Sequence, residues 1–563
     1  MAKKNKYLQM KIIAESAYNH QGNFDYLKQL ALASKKANAD YFTVQMMNVN
    51  EFCTKEYSKY QLYKDTEFTE THWKALFGYC KEIEIDLIPC TLEKASFDLA
   101  YNYGYRLVKI HGTDLTNQLF LKYIKDKGDC KIILETQCST DYEIKQAVEQ
   151  FGEIIECLFH GFSNYPTEPN EHNLLALNYL KTRYALPTGF ADHSLDTQIL
   201  PCMAMALGCS YLEKHITIHR NDRQFDYQVS LEPNEFAILV STIAHYAQTL
   251  GKPVKHPVKA EKGFRNILFK KYLGNGVFKR DNEGKTFIES EIEGFDKKNV
   301  TAALIARLKS KRLKLKVMKP FGENESIVSL YNRLKLNCKN ITHIELATSY
   351  LLEDEPLAQL FKNKNFPTYQ GHPESVIDRL LEVAIKNKSA AVFRVTGDNP
   401  FTDPVLMDRM VNIFQEQDVD YVRVNNVPFG VSAELFKTSY LWKLYLNMED
   451  PFVSEYLSWF VLNDETCKKA CIEFKDERAF VKYVNLSIDY PEDYEYAISV
   501  QTKIGLTPFE KVTLKDVLNA ITDKHIVDLT KYIKLPDGIS ILYSDYMKLI
   551  DETAYVYKEN FVI

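Results

Sequence analysis

The stretch TGFADHSLDTQILPCMAMALGCSYLEKHIT, residues 188–217, contains one complete strand–helix–strand unit. TGFADH and YLEKHIT are short apolar runs of the kind that forms buried parallel strands, and DTQILPCMAMALG between them has helical periodicity. Both runs have a histidine at or near the end, His193 in the first and His215 in the second. The stretch therefore predicts a piece of α/β architecture and places two imidazoles on neighbouring strand ends.

The same pattern repeats upstream of this unit. Helical segments such as FDYLKQLALASKKA separate most of the strand-like runs. The predicted strands are residues 11–16, 41–47, 85–91, 106–112, 131–137, 156–162, 188–193 and 211–217. Eight such units over roughly 250 residues predict a (β/α)₈ TIM barrel, with a doubly wound open sheet as the alternative.

The predicted strands end in polar residues. In a TIM barrel the chemistry lies at the carboxyl ends of the strands, whereas a packed core would place Val, Leu or Ile there. The polar residues at these ends are Glu15, Gln45, Thr91, Lys109, His111, Thr136, His160, His193 and His215. A single histidine is more often a satisfied core residue than a ligand. Two on adjacent strands can share one divalent ion and leave positions open for water or substrate oxygens.

Several motifs of this half resemble the sialic acid synthase family, whose barrels condense phosphoenolpyruvate with a hexosamine-derived aldehyde to give nonulosonic acids. The motifs are IIAESAYNHQGNFDYLKQL, VKIHGTDLTNQLFLKYI, NYPTEP, GFADHSL and LEKHIT, within about residues 8–250. The resemblance implies Mn²⁺ or Mg²⁺ on His193 and His215, with Glu15 and Lys109 as catalytic residues. The substrate-binding residues that it implies are Asn19, His20, Gln45, Tyr165 and Asp226.

The sequence departs from that family where the family contacts the phosphate and carboxylate of its substrate. Thr43 stands where a lysine usually precedes Gln45 by two positions, and Gly112, Glu135 and Ala191 stand at usual serine positions. A phosphate needs positive charge and N–H or hydroxyl donors, and a carboxylate repels it. Two alternatives therefore stay open for the barrel: a metal-dependent lyase or aldolase that does not use phosphoenolpyruvate, and a non-catalytic sugar-binding module.

A second α/β pattern starts at Val300. Its strand-like runs begin with VTAALI and continue at residues 342–349, 366–371, 389–400 and 420–425, with helical stretches such as ESVIDRLLEVAIKNK between them. This pattern predicts a parallel, Rossmann-like nucleotide-binding domain whose ligands bind beyond the carboxyl ends of the strands. The expected division is a barrel at 1–255, a linker at 256–300, this domain at 301–505 and a helical tail at 506–563.

The stretch LIARLKSKRLKLKVMKPFGE, residues 304–323, carries seven basic residues directly after the first strand of this domain. The formal net charge of the whole chain is −5, which argues against a general affinity for DNA or RNA. A basic run at a ligand edge favours binding of one polyphosphate, and a solvated basic face is the alternative. Asp398 in GDNP and Asp489 in SIDYPEDY end two strands and could hold Mg²⁺ beside it.

Six motifs of this half resemble the cytidylyltransferase family that activates acidic sugars, including its spore-coat polysaccharide branch. They are ARLKSKRLKLKVMKPFGE, ELATS, GHPESVIDRL, RVTGDNPFTDP, PFGVSAELF and SIDYPEDYE, over about residues 302–500. The resemblance implies nucleotide binding by Arg307, Ser310, Arg312, Lys316, Arg394 and Asp398. It also implies magnesium on Asp398 and Asp489, sugar binding by Glu434, and catalytic roles for Arg307 and Lys316.

Together the two resemblances predict a bifunctional sugar-activating enzyme. The barrel would form a nonulosonic or other acidic sugar by metal-dependent condensation, and the second domain would couple an acidic sugar to CMP with CTP as substrate. The expected partners are small molecules, namely CTP, an acidic sugar and phosphoenolpyruvate. Nucleic acid and membrane are not expected partners, and a homo-oligomer stays open.

The cysteine pattern and the apolar runs predict a cytoplasmic location. The eleven cysteines form no CxxC pair, which fits reduced thiols. No run of about 18 consecutive apolar residues occurs, and MAKKNKYLQMKIIAES at residues 1–16 lacks the apolar segment of a signal peptide.

Overall fold

The computed structural model describes residues 10–251, 255–281, 283–310, 312–452, 457–505, 508–535 and 540–563, without the side chains of Lys259 and Lys534. Residues 1–9 of the stretch considered for a signal peptide lie outside the described residues. The chain divides into two units, Met1–Val254 and Lys255–Ile563. Within the described ranges, no helix combines the length and apolar character needed to cross a membrane.

The first unit is a closed barrel of eight parallel strands in sequence order, which confirms the predicted TIM barrel. The strands are β1 Lys11–Glu15, β2 Tyr41–Met46, β3 Asp86–Thr91, β4 Leu107–Ile110, β5 Lys131–Glu135, β6 Ile155–Gly161, β7 Thr188–Ala191 and β8 Tyr211–His215. The helices are α1 Phe24–Lys36, α2 Val49–Phe52, α3 Tyr60–Thr66, α4 Glu70–Glu82, α5 Lys94–Asn102, α6 Gln118–Lys125, α7 Asp141–Phe151, α8 Leu175–Tyr184, α9 Ile199–Ala206 and α10 Pro233–Tyr246.

A layer of apolar side chains fills the barrel interior. The buried members of this cluster are Ile13, Ile88, Ile133, Cys157, Phe159 and Ala191. Successive side chains of a strand point to opposite faces, so residues two apart share a face. Glu15 therefore stands one layer above Ile13 on β1, and Glu135 one layer above Ile133 on β5. The alternation that builds the apolar layer also points these carboxylates into the barrel mouth.

The second unit contains fourteen strands and eleven helices among its described residues. The strands are β9 Lys270–Tyr272, β10 Phe278–Arg280, β11 Val300–Ile305, β12 Pro320–Phe321, β13 Asn324–Glu325, β14 His343–Ser349, β15 Thr368–Gly371, β16 Ala391–Thr396, β17 Tyr421–Asn425, β18 Glu434–Lys437, β19 Lys469–Phe474, β20 Tyr532–Lys534, β21 Ser540–Leu542 and β22 Tyr557–Phe561. The helices are α11 Lys259–Leu268, α12 Phe287–Glu293, α13 Ser326–Asn337, α14 Glu355–Asn363, α15 Val376–Lys386, α16 Pro404–Glu416, α17 Thr438–Asn447, α18 Leu457–Leu462, α19 Pro491–Ile504, α20 Leu514–Ala520 and α21 Tyr543–Glu552.

Eight of these strands form the main sheet, in the order β15-β14-β11-β16-β18-β17-β19-β22. The sheet is mixed rather than wholly parallel, because β18 runs antiparallel to both β16 and β17. The connection from β17 to β18 is short, and a parallel neighbour would need a crossover of a dozen or more residues. Helices cover both faces of the sheet, as the two apolar clusters around it show.

Two segments differ from their predicted description. The segment 256–300, predicted as a linker, belongs to the second unit and contains α11, the β9–β10 hairpin and α12. Gly274 and Gly276 adopt positive φ angles of 88° and 76° and allow the tight turn of that hairpin. The segment 506–563, predicted as a helical tail, also contains β20, β21 and β22. β22 is the last strand of the main sheet and pairs in parallel with β19, so it is an edge strand, and exposure alternates along it.

Candidate active sites

The mouth of the barrel holds a lysine between three carboxylates. The Nζ atom of Lys109 lies 2.6 Å from Glu213 Oε1, 2.8 Å from Glu135 Oε1 and 3.2 Å from Glu15 Oε1. All four side chains are almost fully buried. Four strands contribute to this group, which we call the Lys109 cluster, and closure of the barrel brings them together.

The three carboxyl groups of the Lys109 cluster differ in the direction of their pKa shifts. Burial alone would raise the pKa of Glu15 and of Glu135, but the neighbouring positive charges and hydrogen bonds, chiefly those of Lys109, together outweigh burial and lower both. Burial and the neighbouring Glu15 charge hold the pKa of Glu213 well above its usual value. Burial alone would lower the pKa of Lys109, and the three carboxylates raise it instead. Glu213 is thus the member that retains a proton when Glu15 and Glu135 are charged.

Removing the cation should destabilise the barrel. We expect Lys109→Met to lower the free energy of unfolding by about 3–5 kcal/mol, because it leaves buried carboxylates without a counter-charge. Scanning calorimetry of the full chain measures this as a fall of about 10 °C in a melting transition. Lys122→Met, at the exposed Lys122–Asp126 pair, is the matched control and should change little. An unchanged melting profile for Lys109→Met would contradict the expectation.

His193 and His215 meet at the carboxyl ends of β7 and β8. Their ring centroids are 5.1 Å apart with an interplanar angle of 80°. His193 Nδ1 lies 2.5 Å from the Phe162 carbonyl oxygen, and His215 Nε2 lies 3.4 Å from Glu15 Oε2. The ring of Tyr165 lies against both imidazoles, 4.4 Å from that of His193 and 5.9 Å from that of His215.

The donor set of these histidines fits an open divalent-ion site. Burial, and then the neighbouring His215, lower the pKa of His193 to about 3, so His193 is neutral, the form that binds metals. A hydrogen bond from Nδ1 to the Phe162 carbonyl oxygen leaves Nε2 with a free lone pair. Larger groupings of three or more His, Cys, Asp and Glu side chains suited to a metal are absent from the described part of the chain. An ion here would take its remaining ligands from water or substrate.

The other predicted barrel residues fall into two groups. Gln45 Nε2 donates to Glu15 Oε1 over 3.4 Å, and Asp226 Oδ2 lies 3.8 Å from His215 Nδ1, so both stand beside the site. Asn19 instead donates from Nδ2 to the Ile216 carbonyl oxygen at 2.8 Å and to Ser230 Oγ at 3.0 Å.

His20 makes mainly structural contacts. Its ring packs 4.8 Å from that of Phe68, and its Nδ1 accepts from the Gly22 N–H at 3.1 Å. Burial lowers the pKa of His20 to about 4. In this structure Asn19 and His20 fix the loop after β1.

The positions that depart from the family have their own partners. Glu135 Oε2 accepts from the Gly112 backbone N–H at 3.2 Å, and Thr43 donates from Oγ1 to the Ile88 carbonyl oxygen at 2.7 Å. Ala191 belongs to the apolar layer of the barrel. At Glu135 a carboxylate of the protein takes the N–H and ammonium donors that an incoming anion would need.

In the second unit, Lys316 joins the two predicted metal-binding aspartates. Its Nζ lies 2.9 Å from Asp489 Oδ1 and also contacts Asp398 Oδ2. Arg312 Nη2 lies 3.0 Å from the same Asp489 oxygen. Burial alone would lower the pKa of Lys316, and the two carboxylates raise it instead. The basic run and the two aspartates therefore meet beyond the carboxyl end of β16, which Asp398 follows by two residues. Asp489 lies in the segment before α19 and does not end a strand, contrary to the expectation from the sequence.

A cavity of about 440 Å³, which we call the loop cavity, lies at this edge. Its lining includes the predicted residues Arg307, Ser310, Arg312, Lys316, Arg394 and Asp398. Gly397 permits the close approach of the strand end that carries Asp398, because a Cβ there would lie 2.8 Å from that of Ala306. Cations and a carboxylate face one hollow, which is the arrangement that a metal-bound polyphosphate requires.

Arg307 lines the loop cavity but is engaged with acidic side chains. Its guanidinium donates to Asp354 Oδ2 at 3.2 Å, Glu374 Oε1 at 3.0 Å and Glu353 Oε1 at 3.1 Å. Ser310 Oγ accepts from the Leu313 N–H at 3.3 Å. In this structure the contacts of Arg307 and Ser310 stabilise the conformation of the basic run.

A second cavity of about 450 Å³, which we call the tail cavity, adjoins the first. Its lining shares Arg312, Lys316, Arg394 and Asp398 with the loop cavity and adds Arg423, Glu434 and five residues of α21: Tyr543, Tyr546, Met547, Ile550 and Asp551. Glu434 accepts from Arg394 Nη1 at 2.9 Å and from the Tyr421 hydroxyl at 2.5 Å.

Three elements of these sites were missed from the sequence. Glu213 lies two residues before His215, so the two-residue period of a strand signals that it faces the barrel mouth. For Arg423 the signal is weak, because it consists only of one charged residue within the strand-like run DYVRVN. The sequence of α21 contains no local signal that predicts its position beside the site.

Two family models match the chain, "NeuB family" over residues 23–255 and "Cytidylyltransferase" over residues 302–511. The uncharacterized protein MJ1065 of Methanocaldococcus jannaschii is 32% identical over 275 residues, which are 47% of this chain and 81% of that protein. N,N'-diacetyllegionaminic acid synthase of Legionella pneumophila is 27% identical over 278 residues, 46% of this chain and 78% of the synthase. Spore coat polysaccharide biosynthesis protein SpsF of Bacillus subtilis is 30% identical over 208 residues, 36% of this chain and 86% of that protein.

Proposed function

Because the N-terminal half of this chain belongs to the NeuB family and the C-terminal half to the cytidylyltransferase family, we propose that it both makes an acidic sugar and couples an acidic sugar to CMP. Family membership confirms the two resemblances drawn from sequence motifs. The names of relatives support the substrate class, since one relative is a legionaminic acid synthase and another serves polysaccharide biosynthesis.

The observation that carries the transferase proposal is the contact of Lys316 with both Asp398 and Asp489 beside the loop cavity. In the proposed reaction an acceptor hydroxyl attacks the α-phosphorus of CTP and pyrophosphate leaves. Lys316 and Arg312 are placed to neutralise phosphate charge as it shifts toward the leaving group. The oxygen donors of Asp398 and Asp489 fit Mg²⁺, which when bound supplies further neutralisation.

For the barrel, the leading proposal is condensation of an enol donor with an aldehyde sugar. His193 and His215 would hold Mn²⁺ or Mg²⁺, which when bound supplies polarisation of a carbonyl group. Glu15 stands between Lys109 and His215 and can orient a substrate hydroxyl or water there. Tyr165 and Asp226 lie beside the imidazoles, where they can contact the sugar.

One observation favours a second candidate for the barrel, a metal-dependent lyase or aldolase that does not use phosphoenolpyruvate. Lys109 is already surrounded by three carboxylates, and Glu135 also takes the Gly112 N–H. A phosphate placed beside Glu135 would meet a like charge in a buried setting, which is costly. A donor without a phosphate avoids this repulsion.

The test is to incubate the full chain with CTP, Mg²⁺ and a panel of sugar acids, with and without phosphoenolpyruvate and aldehyde sugars. Pyrophosphate and inorganic phosphate are followed separately. The transferase proposal expects pyrophosphate release that depends on a sugar acid, and the condensation proposal expects phosphate release that depends on both phosphoenolpyruvate and an aldehyde sugar. Sugar-acid-dependent pyrophosphate without the second signal would refute the condensation proposal and leave the lyase or aldolase and the non-catalytic sugar-binding module. Absence of pyrophosphate with every acid would refute the transferase proposal.

A further inference from the structure

The tail cavity contains a guanidinium group with unsatisfied donors. Arg423, on β17, lines this cavity. Its Nε and Nη1 atoms are buried and have no hydrogen-bond partner among the described residues. Buried polar groups are nearly always paired, so an unpaired cation in a cavity needs an explanation, and an absent ligand is one. The cavity therefore has a place for an anion at Arg423.

Three other basic residues of the lining already contact carboxylates. Arg394 donates to Glu434 at 2.9 Å, Arg312 lies 3.0 Å from Asp489, and Lys316 contacts Asp398. Lys482 also lines the cavity, and its Nζ lies 5.0 Å from the ring centroid of Tyr483. Arg423 therefore remains the residue of the described lining with two buried nitrogen atoms, Nε and Nη1, that lack a hydrogen-bond partner.

The chemistry of the cavity indicates the kind of anion. A guanidinium presents a planar fork of donors that matches a carboxylate or phosphate. The basic run already lines the loop cavity with Arg307, Arg312 and Lys316, and these side chains suit the phosphates of a nucleotide. Around Arg423 the lining instead combines hydroxyl and amide groups, such as those of Ser458 and Asn425, with the aromatic and apolar side chains of α21. This mixture suits a sugar with hydroxyl groups and an apolar substituent.

We infer that Arg423 binds the carboxylate of the acidic sugar acceptor and that α21 forms the wall against which the other substituents of the sugar pack. The inference rests on the proposed transferase function and assigns its acceptor subsite. The tail cavity shares Lys316 and Asp398 with the loop cavity, so an acceptor held at Arg423 lies next to the nucleotide. The volume of about 450 Å³ lies within the usual range of ligand pockets, about 300–1,000 Å³.

The test compares N,N'-diacetyllegionaminic acid and N-acetylneuraminic acid with their methyl esters, on the full chain with CTP and Mg²⁺. For whichever acid supports pyrophosphate release, the wild type should have a KM about 10- to 100-fold lower for the acid than for its ester, because the ester loses a charge-assisted hydrogen bond. Arg423→Gln should raise the KM for the acid by a similar factor and remove the preference for acid over ester. The Kd for CTP, measured by calorimetry, should stay the same and shows that the variant is folded.

Arg280→Gln, at an exposed arginine of the β9–β10 hairpin, is the control and should keep the wild-type preference. A wild type that accepts acid and ester equally, or an Arg423→Gln variant that keeps the preference, would overturn the inference and leave the transferase function standing. The wild-type comparison needs no variant, so poor folding of Arg423→Gln cannot hide a failure. If neither acid supports pyrophosphate release, the same comparison is made with the acid of the wider panel that does, and absence across the whole panel would overturn the acceptor assignment together with the transferase function.

Discussion

Lys316→Met is expected to lower kcat/KM for CMP transfer about 10³-fold, which corresponds to about 4 kcal/mol of transition-state stabilisation. The ammonium group contacts both Asp398 and Asp489 and lines the loop cavity, so its loss removes positive charge where phosphate charge moves. It also leaves two neighbouring carboxylates without their shared cation. Methionine keeps the length of the stem and limits the change to the charge. Pyrophosphate release with saturating sugar acid measures the effect.

The control for this variant lies two residues earlier. Lys314 is exposed in the same basic run and does not line either cavity, so Lys314→Met changes the net charge equally but should keep activity within about twofold of wild type. Equal losses in both variants would mean that the run acts through general charge rather than through a contact at the site. Full activity of a folded Lys316→Met would remove Lys316 from the proposed mechanism.

His193→Ala and His215→Ala are each expected to lower turnover in the barrel by 10³-fold or more, while CMP transfer to a supplied sugar acid continues. The two rings lie 5.1 Å apart at the ends of neighbouring strands, and each would supply one of the two protein ligands of the ion. Losing either leaves a single imidazole, which is a poor divalent site in competition with water. Product formation in the barrel and pyrophosphate release are measured on the same preparation.

A readout besides activity separates loss of metal from loss of fold. Titration with Mn²⁺ should show one site fewer in each histidine variant, and the melting profile should stay near that of wild type. His245→Ala, at an exposed histidine near the end of α10, is the matched control and should keep both metal and turnover. Unchanged barrel activity without either histidine would refute a catalytic metal there. A wild-type barrel without turnover, whose sugar binding stays the same when either histidine is replaced, would instead favour the non-catalytic sugar-binding module.

The sequence predicts the barrel and its strand ends well, because strands of a closed barrel repeat a simple period. Glu15, Lys109, His193 and His215 each end a predicted strand or lie just before its end, and the barrel brings all four to one mouth. Closure also reveals what position alone does not show. Glu213 becomes a contact of Lys109 only when β8 pairs with β1.

The second unit shows where local pattern stops being informative. DYVRVN predicts a strand correctly, but nothing within it distinguishes a guanidinium that faces a cavity from one that faces water. That distinction depends on α21, far later in the chain, which forms part of the same cavity lining. Arg307 gives the opposite case: its motif implies phosphate binding, while three acidic side chains from later segments surround it.

The pairing of β22 with β19 matters for any experiment that tests the two proposed activities on separate polypeptides. A recombinant second half that stops near Gly505 would lack β22 and leave one edge of β19 unpaired. The exposed backbone N–H and C=O groups of β19 could then pair with another molecule, which promotes aggregation. An insoluble fragment of that kind would say nothing about catalysis. Expressed fragments of this half should therefore include β22.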